Sequence, residues 1–325
     1  MTDAYFVGKI LDDVLRRVIE EVIARGQLIH PTKGDALEIT GILLEISDPR
    51  ARLSRTETRG RIFSALGELC WYLAGSNKAD FISYYISEYE KLAEDGEIFG
   101  GYGPRLRDWK GVNQISNVIG TLKKPDSRQA VIQLFDALDL KEKHKDVPCT
   151  CTLQFMLRQG RLQLFANMRS NDIHWGLPHD VFCFTMLQEI VARSISAELG
   201  AYKHAVGSLH LYVKDAPPAK RFLKEGWQST KSAMPSMPAG DPWPSIRVLL
   251  EAESAIRTKG SLDEAKLSGI DAYWVDLIRL LQVFAAQTKE HRDLAAIRGT
   301  REKISSAVYY PFLDRIIRKL EAQTG

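Results

Sequence analysis

The segment at residues 62–73, IFSALGELCWYL, is apolar almost all round when wound as a helix. Such a helix is a buried one, and it needs other elements to cover it. One acid, Glu68, sits inside it. A buried carboxylate is costly unless it is paired, hydrogen-bonded or protonated, so Glu68 asks for an explanation beyond packing.

The rest of the chain offers the covering layers. Residues 5–25 repeat Phe6, Val7, Ile10, Leu11, Val14, Leu15, Val18, Ile19, Val22 and Ile23 at helical spacing. They predict one amphipathic helix ending near Gly26, its stripe turned to the core. Residues 36–46 are β-branched and predict a strand, as do 130–135, 150–157, 162–168 and 206–213. Residues 181–196 predict a second apolar helix. Residues 226–244 hold Trp227, Met234, Pro235, Met237, Pro238 and Pro242 and read as a loop or crossover. Beyond them, 273–286 and 304–320 are helical in period. No repeat, low-complexity tract or long linker divides the chain. The expectation is one α+β domain over residues 1–325, with a core pattern about 36–215, a large mixed sheet packed with helices, and a helical C-terminal extension about 245–325.

Charge narrows the partners. Among 325 residues, 44 basic side chains face 41 acidic ones, a net +3, which is too balanced to point to nucleic acid or an anionic membrane. No apolar run approaches the roughly 18 residues that span a bilayer. The first residues, MTDAYFVGKILDDVLRR, carry acids where a signal peptide needs a basic lead. The four cysteines (Cys70, Cys149, Cys151, Cys183) are too few and too irregular for a disulfide scaffold or a zinc site. A cytoplasmic protein with free thiols and no metal is expected.

Phosphate-loop, GxGxxG, HExxH and GxSxG signatures are absent. The informative stretch is 148–215. Pro148-Cys149 is followed by Gln154-Phe155; then come Arg169-Ser170-Asn171-Asp172 with Gly176 and Pro178, and finally Gly207, His210 and Tyr212. Upstream stand Glu68-Leu69-Cys70-Trp71, Tyr102-Gly103 and Ser127-Arg128. In this order and spacing, over roughly 38–215, the chain resembles the thymidylate synthase superfamily, and most of all its cytidylate (CMP or dCMP) 5-hydroxymethylases.

The chemistry is coherent on its own terms. Carbon 6 of a pyrimidine is a weak electrophile, and a thiolate adding there makes carbon 5 nucleophilic. Cys149 is the candidate nucleophile, with nearby arginines favouring its thiolate; read from composition alone it would be a buried small hydrophobe. Cys151, two positions on, is expected on the same side of the strand. The resemblance implies that Arg169, Ser170 and Arg128 hold a nucleotide phosphate, with Arg128 donated across the twofold interface of a homodimer. It also implies that His210 and Tyr212 meet the sugar and that Glu68 organises water and proton transfer, its pKa raised by burial. Asp172 and Tyr102 take supporting catalytic roles. The phosphate set is thin: Gln129 stands where a second arginine is usual, and the early loop HPTKGD offers only Lys33.

Three departures shape the functional expectation. Asp180 stands where thymidylate synthases carry the Asn that reads uracil. A carboxyl group accepts from the amino group of cytosine and, when a proton is shared, satisfies the ring nitrogen too. The run Ser87–Leu92 lacks the family's paired Trp, so the pocket is expected to admit water to the methylene intermediate. Thr150 replaces the His after the nucleophile, and the usual closing tail is not evident. The chain is therefore expected to hydroxymethylate carbon 5 of a cytidine monophosphate, with 5,10-methylenetetrahydrofolate as co-substrate. A divergent synthase methylating dUMP and a non-catalytic nucleotide-binding homologue are the alternatives.

Overall fold

The alternating, β-branched runs assemble into one seven-stranded sheet in the computed structural model, which describes residues 4–56, 61–288 and 292–324. Its strands are β1 (Tyr5–Gly8), β2 (Gln27–Ile29), β3 (Ala36–Ile46), β4 (Val131–Gln133), β5 (Thr150–Arg158), β6 (Arg161–Asp172) and β7 (Glu198–Tyr212). The order is β1-β3-β7-β6-β5-β4, with β2 pairing along β3. β1 runs parallel to β3 and β6 parallel to β7, while the other pairs are antiparallel. Helices pack on the sheet, giving the mixed α+β architecture expected from the sequence.

Residues 5–25 are not one helix. Tyr5–Gly8 buries alternate residues and pairs with Leu43–Ile46, and only Leu11–Arg25 coils, as α1. The short period-two stretch was masked by the helical repeat that follows it. β2 was likewise too short to register. The β5–β6 hairpin closes on Gln159 and Gly160, with φ of 50° and 72°. Two left-handed residues suit the twist of a tight hairpin and fix its register. That register sets Thr150 opposite Met168, so the Arg169 amide donates to the Cys149 carbonyl at 2.9 Å.

The remaining helices are α2 (Ile62–Leu73), α3 (Ala79–Tyr85), α4 (Tyr102–Arg107), α5 (Gln114–Leu122), α6 (Gly176–Ser194), α7 (Ala216–Lys224), α8 (Trp243–Lys259), α9 (Ala272–Thr288), α10 (Leu294–Lys303) and α11 (Tyr310–Thr324). α6 lies on β6 and β7, and α2 lies on α6. α3, α4, α8 and α9 also touch α2, which accounts for its apolar circumference. α6 begins five residues before the expected 181, because Asp172 accepts the amides of His174 and Trp175 and turns the chain into it. The expected helix at 304–320 starts later, since the Ser305 and Ser306 amides cap the buried carboxylate of Asp276.

Two fully buried ion pairs tie loops to this frame. Arg105 grips Asp139 with two hydrogen bonds of 2.8 Å. Arg52 meets Glu189 of α6 at 2.5 Å, and Glu189 also accepts the Met237 amide at 2.9 Å. Glu189 thereby anchors both residues 49–52 and the Pro-rich stretch before α8. Removing one charge strands the other in a dry interior. Glu189→Gln is expected to lower unfolding free energy by about 3–5 kcal/mol in a urea titration; a loss below about 1 kcal/mol would show that Arg52 finds other partners.

Candidate active site

Parallel pairing of β6 with β7 brings the carboxyl ends of both strands together, with Ser170 beside Ser208 and Asp172 beside His210. The start of β5 lies alongside the end of β6, which delivers Cys149. α2 contributes Glu68, and the early turns of α6 contribute Asp180. His179 joins the two helices: its ring nitrogens lie 2.9 Å from the Ser64 hydroxyl of α2 and 2.9 Å from the Trp175 carbonyl. Burial holds its pKa down at about 4, so the imidazole is neutral.

Glu68 is the most constrained group. Oε1 accepts from the Tyr72 hydroxyl at 3.0 Å and from the Tyr89 hydroxyl at 3.2 Å. Burial raises its pKa to about 7, against the opposing pull of these two hydrogen bonds. Oε2 has no hydrogen-bond partner in the protein among the described residues. A carboxyl group poised near neutrality, with one oxygen held and one free, can both give and take a proton.

Cys149 is a free thiol, and Arg169 reaches its Sγ at 3.6 Å. Arg169 also donates to the carbonyls of Val147 and Pro148, each at 2.9 Å, and so shapes the turn that carries the thiol. Burial nevertheless raises the thiol pKa. Arg169 and Lys33 pull it down, whereas Asp146 and Asp180 push it up, so the expected net activation is not present in this state. Cys151 sits at a β-bulge, where pairing skips from Thr150 to Thr152, so strand alternation alone does not set which side its thiol faces.

Tyr102 supports the nucleophile strand: its hydroxyl lies 2.9 Å from the Thr150 hydroxyl and accepts the Thr150 amide at 3.1 Å. Asp172 spends both oxygens on the His174 and Trp175 amides, and burial raises its pKa. The rings of His210 and Tyr212 meet edge to face at 5.0 Å. Asp180 is half-buried and accepts from Asn171 Nδ2 at 2.5 Å. Burial raises its pKa well above the ordinary carboxylate range, and the neighbouring Glu68 raises it further. Burial thus favours its protonated form.

Not every expected residue joins this cluster. Arg128 is exposed just ahead of β4; its carbonyl accepts from Gln154 at 3.3 Å, and its guanidinium has no ion pair among the described residues. Four contributors escaped the sequence reading. Tyr72 lies one turn after Glu68, a helical spacing that could have found it. Tyr89 lies in the Trp-free run. Asp146, three residues before Cys149, is held against Gly100, where no Cβ would fit. It acts electrostatically on both Cys149 and Glu68. Asn171 was visible only as a spacer. Lys33, by contrast, projects its charge to Cys149 from the early loop.

A cleft of about 290 Å³ opens along Ser64 and Trp175, which bond to His179 and Asp172, and is lined also by Ile86, Phe284, Phe312 and Ile316. α9 and α11 supply its outer wall. Its aromatic and aliphatic side chains are interspersed with Arg61, Glu88, Gln287 and Arg315, which suits a ligand with a flat ring and charged groups.

Residues 16–239 match the family described as thymidylate synthase, more than two thirds of the chain. The chain belongs to that family. Among curated proteins it is similar to the deoxyuridylate hydroxymethyltransferase of Bacillus phage SP01, 31% identical over 61% of this chain and 56% of that protein. It is also similar to the deoxyuridylate hydroxymethyltransferase of Pseudomonas phage M6, 34% identical over 46% of this chain and 44% of that protein. The chain thus spans about half the length of these relatives.

The raised pKa of Glu68 predicts a pH signature in stability. Between the ordinary value of 4.5 and about 7, the folded state holds a proton that the unfolded chain has released. Stability contributed by that proton is present at pH 5 and lost as pH rises through 7, by about 3 kcal/mol. Glu68→Gln should not show this loss. Urea unfolding of both proteins from pH 5 to 8 checks it, and parallel curves would contradict the assignment.

Proposed function

We propose that the chain transfers a one-carbon unit to carbon 5 of a pyrimidine nucleoside monophosphate and completes the product with water, giving the 5-hydroxymethyl nucleotide. What carries this reading is that Cys149 and Glu68, whose pKa lies near 7, share the neighbours Asp146 and Asp180. The thiol of Cys149 loses its proton and adds to carbon 6, and carbon 5 gains the electron density to attack an electrophilic carbon. Glu68 takes and returns protons at the base through its free Oε2. Bound 5,10-methylenetetrahydrofolate supplies that carbon at the oxidation level of formaldehyde, and the aromatic cleft beside Trp175 fits it. When water completes the product, the carrier leaves as tetrahydrofolate and no dihydrofolate is made. Departure of Cys149 from carbon 6 then restores the ring.

Two observations favour water over hydride. Ser87, Glu88, Glu90 and Lys91, in the run without Trp, are exposed. Both curated relatives are named hydroxymethyltransferases. Arg169, Ser170 and Lys33 are the candidate phosphate ligands, and His210 and Tyr212 the candidate sugar contacts. Arg128, exposed and without an ion pair, suits donation to a second copy in a homodimer. The same reading takes residues 1–325 as one cytoplasmic domain without metal.

For the base, Asp180, whose protonated form burial favours, supports cytidylate, CMP or dCMP: a protonated carboxyl group accepts from the 4-amino group through its carbonyl and donates to ring nitrogen 3 through its hydroxyl. Deoxyuridylate is the second reading, favoured by the names of the two phage relatives. Purified protein offered dCMP, CMP and dUMP separately with methylenetetrahydrofolate should yield hydroxymethylcytidylate by mass spectrometry, without dihydrofolate absorbance. Hydroxymethylated dUMP alone would shift the reading to uridylate. A methylated product with dihydrofolate would overturn the water step, and no turnover of any of them would favour a nucleotide-binding homologue.

A further inference from the structure

We infer that Asn171 is the positioning residue that makes Asp180 discriminate between pyrimidine bases. The inference deepens the reading of Asp180 as the base contact and rests on it. A neutral carboxyl group is ambidextrous. With its proton free to sit on either oxygen, it presents donor and acceptor in either order, and so matches the cytosine edge or the uracil edge equally. Selectivity requires that the proton be assigned to one oxygen.

The structure supplies that assignment. Asn171 Nδ2 donates to Asp180 Oδ2 at 2.5 Å, which makes Oδ2 the acceptor and leaves the proton to Oδ1. The amide cannot turn over at will, because the same Nδ2 faces Met168 Sδ at 3.2 Å. A thioether only accepts, so the amide nitrogen and not its oxygen belongs there. The other end of the amide confirms what the residue is placed for. Asn171 is buried, at 3% exposure, and its Oδ1 has no hydrogen-bond partner among the described residues. An orphaned buried oxygen costs stability, so the side chain is not there to hold the fold together. Its useful end is the one on Asp180.

This distinguishes Asn171 from an ordinary packing residue in a measurable way. Asn171→Leu removes the orphaned oxygen but also leaves Asp180 Oδ2 without its donor; the two effects oppose, so thermal stability should change little. Base discrimination should collapse. Isothermal calorimetry with dCMP and with dUMP, on wild type and variant, reads this without requiring turnover. Wild type should bind one of them, dCMP on the reading above, at least tenfold more tightly. In Asn171→Leu the two dissociation constants should converge to within about threefold, a hydrogen bond to an acidic partner being worth about ten- to a hundredfold. Asn171→Ser, which keeps a shorter donor, should retain part of the preference and stands in if the leucine variant does not fold. An unchanged ratio, or equal loss of both nucleotides with a fall in melting temperature, would overturn the inference. Wild type that binds both equally would instead overturn the reading of Asp180 itself.

Discussion

The parallel pairing of β6 with β7 is the interaction on which the site depends. Parallel strands end at the same edge, so Ser170 and Asp172 come level with Ser208 and His210 without any loop having to bring them there. The tight β5–β6 hairpin then adds Cys149 to that edge by register alone. α6 follows β6 directly and is seated on both strands, so Asp180 inherits its position from the same ladder. α2, trapped between α6 and the outer helices, carries Glu68 to it. The functional groups therefore sit on rigid elements, and their geometry is set by backbone hydrogen bonds.

A second constraint is electrostatic. Glu68, Asp146, Asp172 and Asp180 are carboxyl groups in a largely desolvated space, and burial raises the pKa of each. Four like charges could not coexist there, and some of the acids must keep their protons. Burial pushes Asp180 well above the ordinary carboxylate range, whereas Glu68 is held near 7 by burial against two tyrosine hydroxyls. The environment thus sets the acids apart in how readily each keeps its proton. Cys149 feels the same crowding, and in this state its thiol is not activated.

The sheet, the two apolar helices and the cluster around Cys149 were legible because each left a pattern: alternation, an apolar circumference, or fixed motif spacing. Tyr5–Gly8 was lost because four residues of alternation cannot compete with fifteen of helical period. Cys151 cannot be placed by alternation alone, because the β-bulge between Thr150 and Thr152 is a local break in it. Tyr89 and Asp146 lie in irregular segments, where sequence gives no direction for a side chain. Asn171 filled a motif spacer, and only its contact with Asp180 and its stranded oxygen give it meaning. The wall contributed by α9 and α11 depends on how distant helices return to the site, which no local pattern encodes.

The central claim is that Cys149 adds to carbon 6 of the base while carbon 5 takes up the one-carbon unit. A 5-fluoro-substituted pyrimidine nucleotide tests it most directly, because fluorine at carbon 5 cannot depart as a proton does and the adduct is arrested. With methylenetetrahydrofolate present, intact-protein mass spectrometry should show a gain equal to nucleotide plus carrier. Peptide mapping should place that gain on Cys149, and Cys149→Ser should abolish it. Absence of any covalent gain, or an adduct carried by Cys151, would contradict the account.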